Sequence, residues 1–170
     1  MTTHLPFDPI ARAAEQWRTR WGEDSPHRAM ATVTSIMRVQ QILIAELDGA
    51  LAPLDLTFAR YEALVLLTFS RAGELPMSKV GERLMIHPTS ATHIVQRLAA
   101  QGYVDRVPNP RDGRGTLARI TDSGREVMEK ATARLHAIEF DLAGLTPEQH
   151  EQMFALLREV RIGAGDFDTD

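Results

Sequence analysis

The sequence predicts a mainly α-helical protein that contains one small β-hairpin. Apolar residues recur at helical spacing on both sides of the middle third of the chain. Two short runs typical of strands, Tyr103 to Val107 and Thr116 to Ile120, flank a loop that holds two prolines and two glycines. A chain of 170 residues suits one domain, or a compact domain with added helices, and can bury a substantial core.

Two helices are predicted before the middle third. The first covers Asp8 to Trp21, and the second, longer helix covers Pro26 to Leu51 and ends before Pro53. The polar face of the second helix carries few charges from Met30 to Ile44. Such a helix is expected to be covered on more than one side, which favours a partner subunit.

Three helices are predicted between this region and the hairpin. Thr57 is the expected N-cap of a third helix that runs to about Arg71. Ser78 is the expected N-cap of a short helix to Met85, and Pro88 opens another helix after a tight turn. Two short helices joined in this way and followed by a hairpin are typical of a winged helix-turn-helix.

Two more helices are predicted after the hairpin. The first begins at residues 121–124 and runs to about Leu142. The second has a capped start at residues 146–149, with Pro147 in the first turn, and runs to about Arg161. The tail from Gly163 to Asp170 is expected to fray.

The charge distribution is compatible with a nucleic-acid partner, although the net charge is −4. From Met77 to Ile120 there are seven Lys or Arg residues against three Asp or Glu residues, a local balance of +4. Basic charge concentrated in one region is expected where one face meets phosphate and the rest keeps the protein soluble. Chance clustering is the alternative.

The hairpin tip, Arg111-Asp112-Gly113-Arg114-Gly115, is the strongest local signal of function. Three charged side chains on an exposed tip cannot contribute to a hydrophobic core, so they indicate contact with a binding partner. Asp112 can hold the Arg114 guanidinium in one rotamer, which lowers the entropy lost on binding. A solvated β-turn is the alternative, and the polar helix directly upstream favours the functional interpretation.

That upstream helix has a packing side and a polar side. Ala91, Ile94, Val95 and Leu98 supply the packing positions. Hydroxyl and amide side chains on the polar side can contact base edges, and Arg97 suits phosphate. Thr89 and Ser90 lie where free backbone N–H groups can bind phosphate. The residues expected to contact DNA are Ser78, Lys79, Pro88, Thr89, Ser90, Thr92, His93, Gln96, Arg97, Arg111, Asp112 and Arg114.

Several other classes are disfavoured. The chain has no cysteine, which excludes disulfides and thiol chemistry. It has no Gly-rich phosphate loop, no nucleophile elbow and no histidine pair spaced for one helical face, so neither an enzyme nor a metal site is predicted. No apolar run is long enough to span a bilayer and no signal peptide is evident, so a soluble, cytoplasmic protein without membrane contact is expected.

The chain resembles the MarR family of bacterial transcription regulators. The resemblance is carried by Leu84 to Leu98, Gly102-Tyr103-Val104, Asp112-Gly113-Arg114 and the run from Leu117 to Gly124. It implies an obligate homodimer, joined by helices from both chain ends, that binds double-stranded DNA at a palindromic operator. The implied organisation is one domain with dimerisation helices in residues 1–56, a DNA-binding winged helix-turn-helix in 57–120 and further dimerisation helices in 121–170. A winged module that binds protein instead of DNA is the alternative.

The extra N-terminal helix with Trp17 resembles the urate-responsive branch of that family. That branch uses an acidic residue early in the third helix and an Arg in the recognition helix. This sequence has Glu62 and, at the aligned position, His93. The hypothesis is therefore a small organic effector other than urate, bound in a site lined by Trp17, Glu62 and His93. No cofactor is expected. His93 is a candidate for both DNA contact and ligand contact.

Overall fold

The computed structural model describes residues 5–110 and 115–168. The chain divides into two compact units, residues 1–49 and 50–170. The helices are α1 (Pro9–Trp21), α2 (His27–Leu51), α3 (Phe58–Phe69), α4 (Met77–Arg83), α5 (Pro88–Ala100), α6 (Asp122–Ala137) and α7 (Pro147–Gly163). The strands are β1 (Glu74–Pro76), β2 (Val104–Pro108) and β3 (Thr116–Ile120). The fold is therefore mainly helical with a small sheet, as predicted.

The first unit contains α1 and most of α2. Asp8 caps α1, because its carboxylate accepts hydrogen bonds from the backbone N–H groups of Ile10 (2.8 Å) and Ala11 (3.1 Å). Gly22 ends the helix with φ 89°, a conformation that glycine adopts without steric cost. The rings of Trp17 and Trp21 contact each other, with centroids 4.4 Å apart.

The second unit holds most of the core. Thr57 caps α3 by accepting the Arg60 N–H, as predicted. Each of α3, α5 and α6 turns an apolar side inward, and side chains with no exposed area come from all three. They include Leu64, Leu67, Val95, Leu98 and Leu135.

The sheet has three antiparallel strands in the order β1-β3-β2. The sequence indicated only the hairpin of β2 and β3. The third strand, β1, was missed because it has three residues and ends in a proline, which is tolerated at a sheet edge. Leu75 at its centre pairs with Ala118 and is buried. The wing therefore rests on a strand that local pattern did not indicate.

The turn between α4 and α5 differs from the prediction. Ser78 is not an N-cap; it lies inside α4, which begins at Met77 without a side-chain cap. The helix also ends at Arg83 instead of Met85, because Met85 takes a left-handed conformation with φ 55°. Gly81 permits the tight packing, since a Cβ there would lie 3.3 Å from the Ile86 carbonyl oxygen and 3.4 Å from the Ala91 Cβ.

One prediction about the C-terminal region is wrong. The helix expected to run to Leu142 ends at Ala137, because residues 139–141 take left-handed conformations that break the hydrogen-bond ladder. After α7 the described residues 164–168 form neither helix nor strand. Phe167 packs against the Arg158 and Arg161 guanidinium groups, each 5.2 Å from the ring centroid. The predicted capping box at Thr146 and Gln149 is present.

Candidate nucleic-acid interface

The outer face of α5 is polar and exposed. Ala91, Val95 and Leu98 are buried, and Ile94 is half-buried, so the predicted packing side faces the core. Thr92 is half-buried and donates its hydroxyl hydrogen bond to the Pro88 carbonyl oxygen (3.0 Å). The exposed residues of this helix among the predicted contacts are Pro88, Thr89, Ser90, His93, Gln96 and Arg97. One face of α5 thus presents donors, acceptors and a positive charge together.

The N-terminus of α5 is capped by His87, at the position where the sequence predicts only a tight turn. The His87 Nδ1 atom accepts the Thr89 backbone N–H at 3.2 Å, which requires an imidazole with an unprotonated Nδ1. The Thr89 N–H is therefore already engaged, which corrects the expectation that it is free for phosphate. The only sequence signal for this cap was a polar residue directly before Pro88.

Two predicted contact residues lie on α4. Ser78 is exposed. Lys79 is also exposed, and its Nζ atom bonds both carboxylate oxygens of Glu82, at 2.9 and 2.6 Å. An exposed ion pair of this kind contributes little to stability, so Lys79 can exchange Glu82 for a phosphate at small cost.

The wing is formed by β2, β3 and the loop between them. Its strands pair in register from Val104 with Ile120 to Pro108 with Thr116. One more hydrogen bond, from the Asn109 N–H to the Gly115 carbonyl oxygen (2.9 Å), closes the ladder next to the tip. The predicted contacts Arg111, Asp112 and Arg114 lie outside the described residues.

The base of the wing has its own electrostatic support. Arg119 on the central strand β3 lies opposite Glu74 on β1 and opposite Asp105 on β2. The Arg119 Nε atom donates to the Glu74 carboxylate at 2.7 Å. Arg106 on β2 is exposed and was not among the predicted contacts, because nothing in the local pattern separates it from its neighbours.

The three residues predicted to line a ligand site lie in different units. Trp17 is half-buried on α1 in the first unit. Glu62 on α3 and His93 on α5 are in the second unit, and both are exposed. Partial desolvation nevertheless raises the pKa of the Glu62 carboxyl above its ordinary value.

The described residues also bear on metal binding and membrane insertion. Among the described residues there is no group of three or more His, Asp or Glu side chains placed to hold a metal ion. None of the helices formed by these residues combines the length and apolar character needed to cross a membrane.

Two adjacent short helices, a three-stranded sheet and a basic hairpin define a winged helix-turn-helix protein. The family model of MarR matches residues 54–115. The chain is 30% identical to the HTH-type transcriptional repressor IacR of Pseudomonas putida, over 92% of this chain and 86% of that protein. The protein therefore belongs to the MarR family of transcription regulators, and its relatives are regulators and not enzymes.

Solved structures agree with this assignment. Sco5413, a MarR family transcriptional regulator from Streptomyces coelicolor, is 58% identical, with a TM-score of 0.78, over 84% of this chain and 99% of that one. Sco3205 from the same organism, solved in complex with DNA, is 28% identical, with a TM-score of 0.73, over 83% of this chain and 92% of that one. The chain spans only 60–65% of the length of three other curated relatives.

Proposed function

We propose that the protein is a homodimeric transcription repressor that binds double-stranded DNA at a palindromic operator. The observation that carries this proposal is the polar, exposed face of α5 beside the hairpin wing. An α-helix fits the major groove, where each base pair presents a distinct pattern of donors and acceptors. Sco3205, a relative of similar fold, was solved bound to DNA, and IacR is named a repressor.

The proposed roles follow the regions of the chain. Residues 57–120 bind DNA, and the helices in residues 1–56 and 121–170 join the two subunits. Exposed apolar side chains on α2 and α7, such as Met37 and Leu156, support the second role, since exposed apolar rows mark protein contacts.

Footprinting and sedimentation test the proposal. Protection is expected to be symmetric about a dyad, with half-sites about one helical turn apart. Affinity is expected to fall steeply with salt, because bound phosphates release counterions. A stable monomer at micromolar concentration contradicts the dimer, and binding without salt dependence favours a module that binds protein.

On the wing, the proposed DNA contact is Arg114 in the minor groove. Asp112 orients Arg114, and Arg111 lies near phosphate. A narrow A·T-rich groove concentrates negative potential and suits an inserted Arg. Arg114→Ala is expected to weaken operator binding by about 1–3 kcal/mol while the dimer stays intact. If Arg114→Ala binds the operator with wild-type affinity, the assignment of Arg114 to the minor groove is wrong.

On the helices, the proposed contacts divide into two groups. Those that read bases are Ser90, Thr92, His93 and Gln96. Those that bind the phosphate backbone are Lys79, Thr89 and Arg97, and Ser78 and Pro88 are further proposed DNA contacts beside them. Alanine variants of the first group are expected to change the preference among single-base operator variants, whereas those of Lys79 and Arg97 lower affinity uniformly and reduce the salt slope. Equal losses on every operator for all variants contradict direct readout.

The proposed regulation is by a small anionic or aromatic effector that contacts Trp17, Glu62 and His93, as in the urate-responsive branch but with a different ligand. An effector changes DNA affinity only if it binds the two spacings of the recognition helices with different affinity. A thermal-shift screen of phenolic and purine compounds, repeated on Trp17→Ala and His93→Ala, tests the site. Compounds that stabilise these variants as much as the wild type contradict it.

A further inference from the structure

Gln101 closes the C-terminal end of α5, and its side chain reaches two other segments. The amide Nε2 donates to the Asp55 carbonyl oxygen (2.8 Å) and to Asp55 Oδ2 (2.9 Å). The amide Oε1 accepts from Arg60 Nη1 at 3.0 Å. Its donor and acceptor sides are therefore both engaged, by residues 46 and 41 positions away in the sequence.

The chemistry of these partners selects an amide at position 101. Asp55 offers only acceptors to the side chain, and the Arg60 guanidinium offers only donors. A carboxylate at 101 would face the Asp55 carboxylate, and an ammonium group would face Arg60. A carboxamide satisfies both neighbours without a change of charge.

Asp55 lies in a tight turn that directly continues α2. Its backbone takes a left-handed conformation (φ 51°, ψ 39°), and its N–H donates to the Ala52 carbonyl oxygen at 2.9 Å. Leu51 and Leu56, on either side of the turn, are 0% and 2% exposed. The turn is thus held by a buried leucine on each side.

Arg60 lies in the first turn of α3 and is held there. Its Nε atom donates to the hydroxyl oxygen of Thr57, the N-cap of that helix, at 3.3 Å. The side chain of Gln101 therefore joins the turn after α2, the start of α3 and the end of α5.

We infer that Gln101 is a positioning residue that ties the recognition helix α5 to the turn after α2. This inference rests on the proposed function, in which α2 joins the subunits and α5 enters the major groove. Two recognition helices must meet half-sites at one fixed spacing, so the orientation of each α5 must be held by contacts such as those that Gln101 makes with Asp55 and Arg60. Gln101 itself contacts no DNA in this arrangement.

Gln101→Glu tests the inference on two duplexes, a palindromic operator and an isolated half-site. The variant loses both donors to Asp55 and repels its carboxylate. Affinity for the palindrome is expected to fall about tenfold, a size typical of coupling between sites. Affinity for the half-site is expected to fall only about twofold, from the added negative charge. Discrimination against operators whose half-sites are moved by one base pair is expected to weaken.

Two further variants separate positioning from charge and from folding. Ala59→Glu adds the same negative charge at an exposed position of α3 that is assigned neither to DNA contact nor to the subunit interface, and it is expected to leave the ratio of palindrome to half-site affinity unchanged. In the double variant Gln101→Glu with Asp55→Asn, the amide at position 55 can donate to the carboxylate at position 101, which reverses the direction of the original hydrogen bond. This double variant is expected to recover most of the lost affinity for the palindrome.

Three results overturn the inference. Wild-type affinity in Gln101→Glu removes any role for the residue. Equal losses on palindrome and half-site, or no recovery in the double variant, reduce Gln101 to a structural residue. Failure of the wild-type protein to bind any duplex is distinguishable, because it removes the proposed function and the positioning role with it.

Discussion

The winged core, from α3 to α6, and the flanking helices α1, α2 and α7 differ in the exposure of their apolar side chains. In the winged core, Leu64 and Leu98 have no exposed area. On the flanking helices, Met37 is 58% exposed and Leu156 is 70% exposed. No residue of α1 or α7 is buried, and both helices lie wholly within the described residues.

This difference shows which part of the protein is complete within one chain. Burying a leucine or methionine side chain contributes about 1.5–3 kcal/mol, which the winged core obtains from its own residues. The exposed apolar side chains on α2 and α7 contribute no comparable burial energy within one chain. A second copy that covers them is the simplest source of that energy, which agrees with the proposed homodimer.

The largest expected effect comes from placing a charge in an exposed apolar row. Leu156→Asp on α7 would bury an unpaired carboxylate in a subunit interface, which costs several kcal/mol. Sedimentation is expected to show dissociation at micromolar concentration, with operator affinity reduced on the order of 100-fold. Ala59→Asp, the same added charge at an exposed position of α3, is the control. A dimer that survives Leu156→Asp places the interface elsewhere.

The next effect compares one substitution in the two regions. Gly124 is buried in α6, and a Cβ there would lie 2.1 Å from the Tyr103 carbonyl oxygen, so Gly124→Ala is expected to destabilise by about 3 kcal/mol. Gly49 in α2 has nothing within 4 Å of such a Cβ. Gly49→Ala is therefore expected to stabilise by about 0.5–1 kcal/mol.

Urea unfolding at one fixed protein concentration measures both glycine variants, since the stability of a dimer depends on concentration. Effects of the same sign at the two positions would contradict the contrast between a closely packed core and an open helix.

A smaller effect is expected at the cap of α5. His87→Ala removes the acceptor for the Thr89 N–H and is expected to cost about 1 kcal/mol, as the loss of other helix caps does. His87→Asn supplies another capping side chain and is expected to retain most of the stability. Thermal unfolding of the three proteins decides between a cap and a solvated turn. Equal transitions in all three contradict the cap.

The smallest effect is expected at Glu62 on α3. Desolvation raises the pKa of this carboxyl, so folding favours its protonated form. The wild type therefore loses stability relative to Glu62→Gln as the pH rises through the raised pKa, and the difference closes below about pH 4. Because the side chain is exposed, the melting temperatures are expected to differ by no more than about 1 °C at pH 7. A variant less stable than the wild type at pH 7 contradicts this sign.

The sequence by itself determined the helical class, the hairpin and most helix starts. The caps at Thr57 and Thr146 were identified correctly, because a cap depends on residues within three or four positions. The packing side of α5 was identified for the same reason, since helical periodicity is local. The basic tip of the wing was visible as composition alone.

Only the tertiary structure decided features that depend on distant partners. Strand β1 forms because Leu75 pairs with Ala118 on β3, which lies 43 residues later in the sequence. Gln101 donates to Asp55 and accepts from Arg60, and these hydrogen bonds join residues that no local pattern relates. The end of α6 at Ala137 follows no local breaker, since the next four residues contain neither glycine nor proline. These features depend on which segments meet in space, whereas a sequence pattern reports the preferences of neighbouring residues.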